Sequence, residues 1–91
     1  MKHLPFSVSD AEKRHLTHLP PELKRKIRSA MDQIARDPSV AKLLEGKLAG
    51  YRSYKISRFR IVYRVMTAAI ELIAVGPREY VYQRALSEVI R

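Results

Sequence analysis

The spacing of apolar residues changes once along this chain, from a helical period to a strand period. Between positions 21 and 36, apolar side chains recur three or four residues apart, which predicts an amphipathic helix. From position 51 to position 66 they follow a two-residue alternation, which is typical of strands buried on one face. Because the two periods occupy separate segments, we expect an α+β fold in which helices cover an antiparallel sheet.

The remaining pattern predicts how these segments connect. Residues 4–8 alternate as a short N-terminal strand. Ser9 and Glu12 have the spacing of a capping box, in which the serine caps the helix and the glutamate reaches back to it, and Pro20 ends that helix. It should form an antiparallel helix hairpin with 21–36. Three strands follow, at 51–58, 59–66 and 70–75, and form an antiparallel meander that completes a small four-stranded sheet. A short C-terminal helix is predicted at 80–91.

Length and composition limit the classes of site. The chain has 91 residues, enough for one hydrophobic core, so residues 1–91 are expected to form a single domain. It has no cysteine, which excludes disulfides, thiolate metal sites and cysteine nucleophiles. Three glycines do not form a phosphate-binding loop, and His15 and His18, although close on one helix, have no further ligand beside them. We therefore expect no metal and no cofactor.

The sequence also bears on location. No apolar run approaches the length that a membrane-spanning helix requires, and no secretory signal is visible at the N-terminus. We therefore expect a cytoplasmic protein without a membrane partner.

Charge indicates the partner. Eighteen Lys and Arg residues oppose nine Asp and Glu residues, a net charge of +9, which favours encounter with polyanions. All five tyrosines lie from position 51 onward, and arginine interleaved with tyrosine suits single-stranded RNA. Tyr63 is expected in the core instead. Six cations and no acid lie between positions 46 and 70: Lys47, Arg52, Lys55, Arg58, Arg60 and Arg64.

This inventory suits one reaction. RNA carries its own nucleophile, the 2′-hydroxyl, so a protein needs to align it with the phosphate, stabilise the developing charge and assist two proton transfers. Arginine stabilises phosphate charge, whereas tyrosine or lysine transfers protons only when neighbouring cations lower its pKa. A phosphate-binding face without catalysis fits the same composition.

Five short motifs follow one another along the second half of the chain: Leu44-Glu45-Gly46, Tyr51-Arg52, Phe59-Arg60-Ile61-Val62-Tyr63, Val75-Gly76-Pro77-Arg78-Glu79 and Val81-Tyr82. In this order they resemble the RelE/ParE superfamily of toxins from type II toxin–antitoxin modules. With the preceding helix pair and the length, the resemblance extends over essentially the whole chain and implies the RelE-like microbial ribonuclease fold. It also implies a ribosome-dependent mRNA endonuclease that inhibits translation.

The resemblance also implies site residues. Arg60 and Arg78 match arginines that stabilise the transition-state phosphate, and Tyr82 matches a late tyrosine that activates the 2′-hydroxyl. In one departure, RelE-like toxins carry a lysine where this chain has Tyr54, with Lys55 beside it on the opposite face of the strand. The expected RNA-binding residues are Arg52, Tyr54 and Lys55, joined by the outer-helix cations Lys24, Arg25 and Arg28 that engage the ribosome.

The implied partners are a cognate acidic antitoxin, the ribosome and its A-site mRNA, with DNA bound only indirectly through the antitoxin. Two alternatives remain open. A ParE-like toxin has the same fold but inhibits DNA gyrase without cleaving RNA, through the surface of the helix pair and the C-terminal tail. A degenerate toxin retains antitoxin binding alone.

Overall fold

A computed structural model of the protein describes residues 4–90, which form five strands and three α-helices in the expected α+β class. A single turn of 3₁₀-helix, Gly46–Leu48, lies between the second and third strands. In chain order the elements are β1 (Phe6–Val8), α1 (Asp10–Thr17), α2 (Pro21–Arg36), β2 (Lys42–Leu43), β3 (Arg52–Ile56), β4 (Phe59–Val65), β5 (Ile70–Pro77) and α3 (Arg78–Val89).

The sheet has five strands, in the order β1-β5-β4-β3-β2, and not the four that the sequence predicted. The additional strand is β2, which pairs antiparallel with Arg52 and Ser53 at the start of β3. Two residues are too short to show an alternating pattern, which is why the sequence did not predict β2. The meander β3-β4-β5 is confirmed, and β1 pairs parallel to β5, so the sheet is mixed.

The start of α1 confirms half of the predicted capping box. Ser9 is the N-cap residue, and its hydroxyl accepts a hydrogen bond from the Glu12 amide at 3.1 Å. The Glu12 carboxylate does not reach back to Ser9, so that part of the prediction is wrong. It is buried and accepts hydrogen bonds from the Val75 amide and the Arg84 guanidinium. A tertiary contact therefore replaces the local one.

One face of the sheet packs against α1 and α2. The α2 side chains that recur at helical spacing, including Ile27, Ala30 and Ile34, are buried against apolar residues of β4 and β5. Tyr63 lies in this core, is fully buried and donates its hydroxyl to the Pro38 carbonyl at 2.7 Å, as its place in the strand alternation predicted.

The other face packs against α3, in a second core that contains Val62, Ala74 and Val81. The two faces are kept in phase by a register shift in β5, where Val62 pairs with Ala74 but Tyr63 pairs with Leu72. Ile73 is the extra residue of this bulge. As a result β5 buries side chains on both faces, which fits its interior place between β1 and β4.

The C-terminal helix begins earlier than predicted. The sequence placed the preceding strand at 70–75 and the helix at 80–91, but β5 continues through Pro77 and α3 starts at Arg78. Pro77 is the N-cap residue, with φ −58°. Gly76 lets the helix approach, since a Cβ there would lie 3.2 Å from an Arg84 side-chain nitrogen and 3.8 Å from the Val81 Cβ. Among residues 4–90, no helix is long and apolar enough to cross a membrane.

Candidate active site

A cleft of about 530 Å³ opens beside α3, and four cations but no acid line it. We call it the cationic cleft. Its walls come from β2 and the segment around it, from β3, from β4 and from the first two turns of α3. The lining residues are Val40, Ala41, Lys42, Leu44, Ser53, Tyr54, Lys55, Arg60, Arg78 and Tyr82.

The strand register brings the first two cations together. Lys55 on β3 and Arg60 on β4 are direct cross-strand partners, each two residues from the closing turn of their hairpin. Directly opposed like charges destabilise a strand pair, so this pairing costs stability that a bound anion would recover. Ser57 and Arg58 form the turn, and Ser57 adopts a left-handed φ of 55° that a two-residue hairpin turn favours.

The third cation, Arg78, comes from the junction between β5 and α3. Arg60 pairs with Gly76 at the end of β5, and α3 begins two residues later at Arg78. The Arg78 amide donates to the Arg58 carbonyl at 2.9 Å, which fixes the first residue of the helix beside the hairpin turn. Three elements therefore deliver Lys55, Arg60 and Arg78 to one place, and we call these three residues the cation triad.

The Arg60 guanidinium is partly fixed. Its Nη1 donates to the Phe59 carbonyl at 2.9 Å and the Ser57 carbonyl at 3.1 Å. A guanidinium has five N–H donors, so Nε and Nη2 retain theirs for a ligand. Within residues 4–90, the side chains of Lys55 and Arg78 make no hydrogen bond or ion pair with the protein.

A pair of hydroxyl groups borders the triad. The Tyr82 hydroxyl, on α3, lies 2.9 Å from Ser53 Oγ, on β3, and either oxygen can donate. Ser53 is buried, whereas Tyr82 is half-buried. Sequence reasoning missed Ser53. The pattern that could have found it is its position two residues before Lys55, which places both side chains on the same face of the strand.

Arg52 and Tyr54 lie on the opposite face of β3. Tyr54 packs against the core under α1 and α2 and also contributes to the lining of the cationic cleft. The Arg52 Nη1 donates to the Ala41 carbonyl at 2.8 Å and the Ser39 carbonyl at 3.4 Å. The structure thus brings Lys55 to the triad, whereas Arg52 is engaged with the segment that leads into β2.

The outer-helix cations are remote from the cleft lining. Lys24 and Arg28 border an apolar groove on the other side of the molecule, formed with β1 and α1. Arg25 is exposed and forms an ion pair with Glu22 at 3.4 Å. These three residues therefore form a second basic surface on α2, separate from the cationic cleft.

A polar clamp fixes the end of β5 on which the cleft depends. Since β1 pairs only with Ile70–Leu72, the Val75 peptide group has no neighbouring strand on that side. Glu12 accepts the Val75 amide proton at 3.1 Å, while Arg84 and His15 donate to the Val75 carbonyl at 2.7 and 3.0 Å. The clamp is closed by the Glu12–Arg84 ion pair at 2.7 Å.

The two histidines within residues 4–90 each make a hydrogen bond to a backbone carbonyl. His15 belongs to the clamp, and His18 Nδ1 donates to the Arg14 carbonyl at 2.7 Å in the last turn of α1. Residues 4–90 contain no group of three or more His, Asp or Glu side chains able to hold a metal.

Chemically, the cationic cleft can bind a phosphate and stabilise added negative charge on it. Arg60 and Arg78 provide forked N–H donors, and Lys55 provides a compact ammonium. Tyr82 and Lys55 carry protons that can be transferred, as do Lys42 and Tyr54 of the same lining, whereas arginine retains its proton in proteins.

Comparison with solved structures shows the same fold in several toxins. A mutant of the E. coli toxin RelE in the free state has a TM-score of 0.80 at 17% identity, over 97% of this chain and 99% of that chain. A chain of the Mycobacterium tuberculosis RelBE2 toxin–antitoxin complex has a TM-score of 0.73 at 25% identity, over 85% of this chain and 100% of that chain. A chain of the Pyrococcus horikoshii RelE–RelB complex has a TM-score of 0.70 at 18% identity, over 85% of this chain and 97% of that chain.

No curated protein sequence matches the chain. A family model described as "ParE-like toxin of type II bacterial toxin-antitoxin system" matches residues 7–85. That span includes all the motifs on which the resemblance to the RelE/ParE superfamily rests, and the resemblance is confirmed. The chain belongs to the family of ParE-like toxins of type II bacterial toxin–antitoxin systems.

Proposed function

We propose that this toxin is a metal-independent endoribonuclease that cleaves mRNA on the ribosome, with the cationic cleft as its active site. The observation that supports this proposal is the cation triad, which three different elements bring together in a cleft that no acidic residue lines. The hydroxyls of Ser53 and Tyr82, 2.9 Å apart, lie at the edge of the same cleft. A surface that only contacts the phosphate backbone can have its cations spread out, whereas a site that stabilises the charge of a phosphorane needs several cations around one phosphate.

The reaction is attack of the RNA 2′-oxygen on the adjacent phosphorus. The bond between that oxygen and phosphorus forms, and the bond between phosphorus and the 5′-oxygen breaks. The products are a 2′,3′-cyclic phosphate and a free 5′-hydroxyl. The proton of the 2′-hydroxyl goes to a base, and the departing 5′-oxygen receives a proton from an acid, so two groups on opposite sides of the phosphorus are required.

The residues take the following roles. Arg60 and Arg78 donate to the non-bridging oxygens, whose charge grows in the transition state. Tyr82, whose hydroxyl pairs with Ser53 Oγ, takes the role of general base and accepts the 2′-hydroxyl proton. The Lys55 ammonium gives a proton to the 5′-oxygen. The outer-helix cations Lys24, Arg25 and Arg28 hold ribosomal phosphates.

The partner that controls this toxin is an acidic antitoxin, folded on contact. The net charge of +9 supports this proposal, and relatives such as the M. tuberculosis and P. horikoshii toxins were solved as toxin–antitoxin complexes. A basic antitoxin whose affinity is unchanged in high salt contradicts the charge argument.

The test is single-turnover cleavage of A-site mRNA on programmed ribosomes. Arg60→Ala and Arg78→Ala should each slow cleavage about 10²–10³-fold, the loss that follows removal of one preorganised donor. Arg14→Ala, an exposed cation on α1, is the matched control and should retain the wild-type rate. Full cleavage by both triad variants refutes the assignment, provided that circular dichroism and antitoxin binding show intact folding.

The second candidate is gyrase inhibition, which the ParE-like description of the family model favours. It predicts that both triad variants remain toxic in cells, that mRNA stays intact and that gyrase is arrested. The surface responsible would be the helix pair α1–α2, on the face opposite the cationic cleft. A gyrase cleavage assay run beside the ribosome assay separates the two functions.

A further inference from the structure

A second cleft adjoins the cation triad, and the proposed reaction does not use it. It has a volume of about 480 Å³ and shares Lys55, Arg60 and Arg78 with the cationic cleft. Tyr82 does not line it; Ser57, Arg58 and Glu79 do instead. We call it the turn cleft. The triad therefore stands between two cavities, each of a size to admit a nucleotide.

The turn cleft has a fixed framework and unengaged side chains. The Arg58 carbonyl accepts from the Arg78 amide at 2.9 Å, and the Ser57 carbonyl accepts from Arg60 at 3.1 Å, so both turn residues are held by their backbone. The Arg58 and Glu79 side chains are exposed, and within residues 4–90 neither makes a hydrogen bond or ion pair.

Glu79 is the feature that a phosphate site alone does not explain. It is the one carboxylate among the described residues that line either cleft, and it faces four cations in the turn cleft. A negative charge there weakens the attraction for phosphate. A carboxylate can, however, accept hydrogen bonds from the amino groups and ring N–H of a base. In single-stranded RNA these Watson–Crick edges are accessible.

We propose that the turn cleft binds the nucleotide next to the scissile phosphate and that Glu79 selects its base. The inference rests on the proposed function, because it takes RNA as the ligand of the triad. Guanine presents two adjacent donors, N1–H and the 2-amino group, which match the two carboxylate oxygens. Uracil presents one N–H between two carbonyl oxygens, which the carboxylate repels. Arg58 contacts the backbone or the face of the same nucleotide.

The experiment measures binding without cleavage. ¹⁵N-labelled toxin is titrated with uridine hexamers that are 2′-O-methylated throughout and contain one guanosine, or none. Dissociation constants come from shifts of the Glu79 and Arg58 amides. We expect the guanosine hexamer to bind about tenfold more tightly than the all-uridine one, within the range of a bidentate base contact.

Variants assign the discrimination. Glu79→Ala should reduce it to about twofold or less, and should also tighten binding of the all-uridine hexamer because a negative charge is removed. Glu22→Ala is the matched control, since Glu22 and Glu79 are both the second residue of a helix capped by a proline. Arg58→Ala should weaken both hexamers by a similar factor.

The outcomes separate this inference from the proposed function. Equal discrimination in wild type and Glu79→Ala, or none in wild type, overturns the inference. Base discrimination that depends on Glu79, together with uncut mRNA on the ribosome, upholds the turn cleft and refutes the nuclease. Hexamer binding that Arg60→Ala leaves unchanged refutes the RNA site as a whole, and the inference with it.

Discussion

The two faces of strand β4 differ in what they leave exposed. Toward α1 and α2, Ile61 and Tyr63 are fully buried in a continuous apolar core. On the other face, α3 covers Val62 but not Arg60, which lies at the open end of the strand. One face is thus closed along its length, whereas the other is closed by a 12-residue helix over part of it.

The difference shows how a small fold separates stability from chemistry. The face under two helices supplies most of the large buried side chains. The uncovered ends of β3 and β4, together with the first residue of α3, carry the cation triad. Like charges placed side by side are tolerated there because neighbouring residues on the closed face stabilise the same strands. The comparison therefore predicts that substitutions at adjacent residues of β4 affect different properties, stability on the closed face and cleavage on the open one.

The largest effect on stability is expected on the closed face. Ile61→Ala should lower the free energy of unfolding by about 2–5 kcal/mol, because it opens a cavity in a core where the side chain is fully buried. Urea unfolding measures it. Its neighbour Arg60→Ala should lose less than about 1 kcal/mol, the value of a hydrogen bond to the turn. Similar losses in both variants contradict the separation of the two faces.

The clamp that joins the faces should rank second. Arg84→Ala leaves the Glu12 carboxylate buried without its ion pair and should cost about 2–3 kcal/mol. This is less than a fully buried pair costs, because the Arg84 side chain is 40% exposed. Glu12→Gln in the Arg84→Ala background should recover part of the loss, since the bare charge is removed.

A matched ion pair serves as the control for the clamp. Arg64 and Glu71 pair at 2.6 Å between β4 and β5, with both side chains 38% exposed, so Arg64→Ala should cost no more than about 1 kcal/mol. Equal losses for Arg84→Ala and Arg64→Ala in thermal unfolding would show that the burial of Glu12 adds nothing.

A smaller, pH-dependent effect is expected at Tyr63. Burial raises the pKa of its hydroxyl above the usual value of 10.0, so the unfolded chain ionises first and stability falls as pH rises above about 10. Tyr63→Phe removes the hydrogen bond to Pro38 and should lower the free energy of unfolding by about 1 kcal/mol at neutral pH. Above about pH 10 the stability of this variant should fall less steeply than that of the wild type. Parallel stability curves between pH 9 and 11 contradict this.

The smallest effect is expected from the basic surface on α2. Replacing Lys24, Arg25 or Arg28 with alanine should raise KM for programmed ribosomes about 1.5- to 5-fold per cation, as exposed ionic contacts do, and more at low salt. The single-turnover rate at saturating ribosome should not change, because these residues lie away from the cleft. A fall in that rate equal to that of Arg60→Ala contradicts the division.

The sequence alone predicted what depends on local period and motif order. Helical spacing predicted α2, and alternation predicted β3, β4 and the burial of Tyr63, because these follow from which side chains share a face. The ordered motifs predicted the family. They also selected Arg60, Arg78 and Tyr82, which the structure brings to one cleft.

Tertiary structure decided the contacts between distant parts of the chain. The Ser53–Tyr82 pair spans 29 residues and the Glu12–Arg84 pair spans 72, so no local pattern could predict either. The same holds for β2, whose two residues become a strand only through the edge of β3. It was the β3–β4 register, and no property of the residues themselves, that placed Lys55 rather than Arg52 beside Arg60.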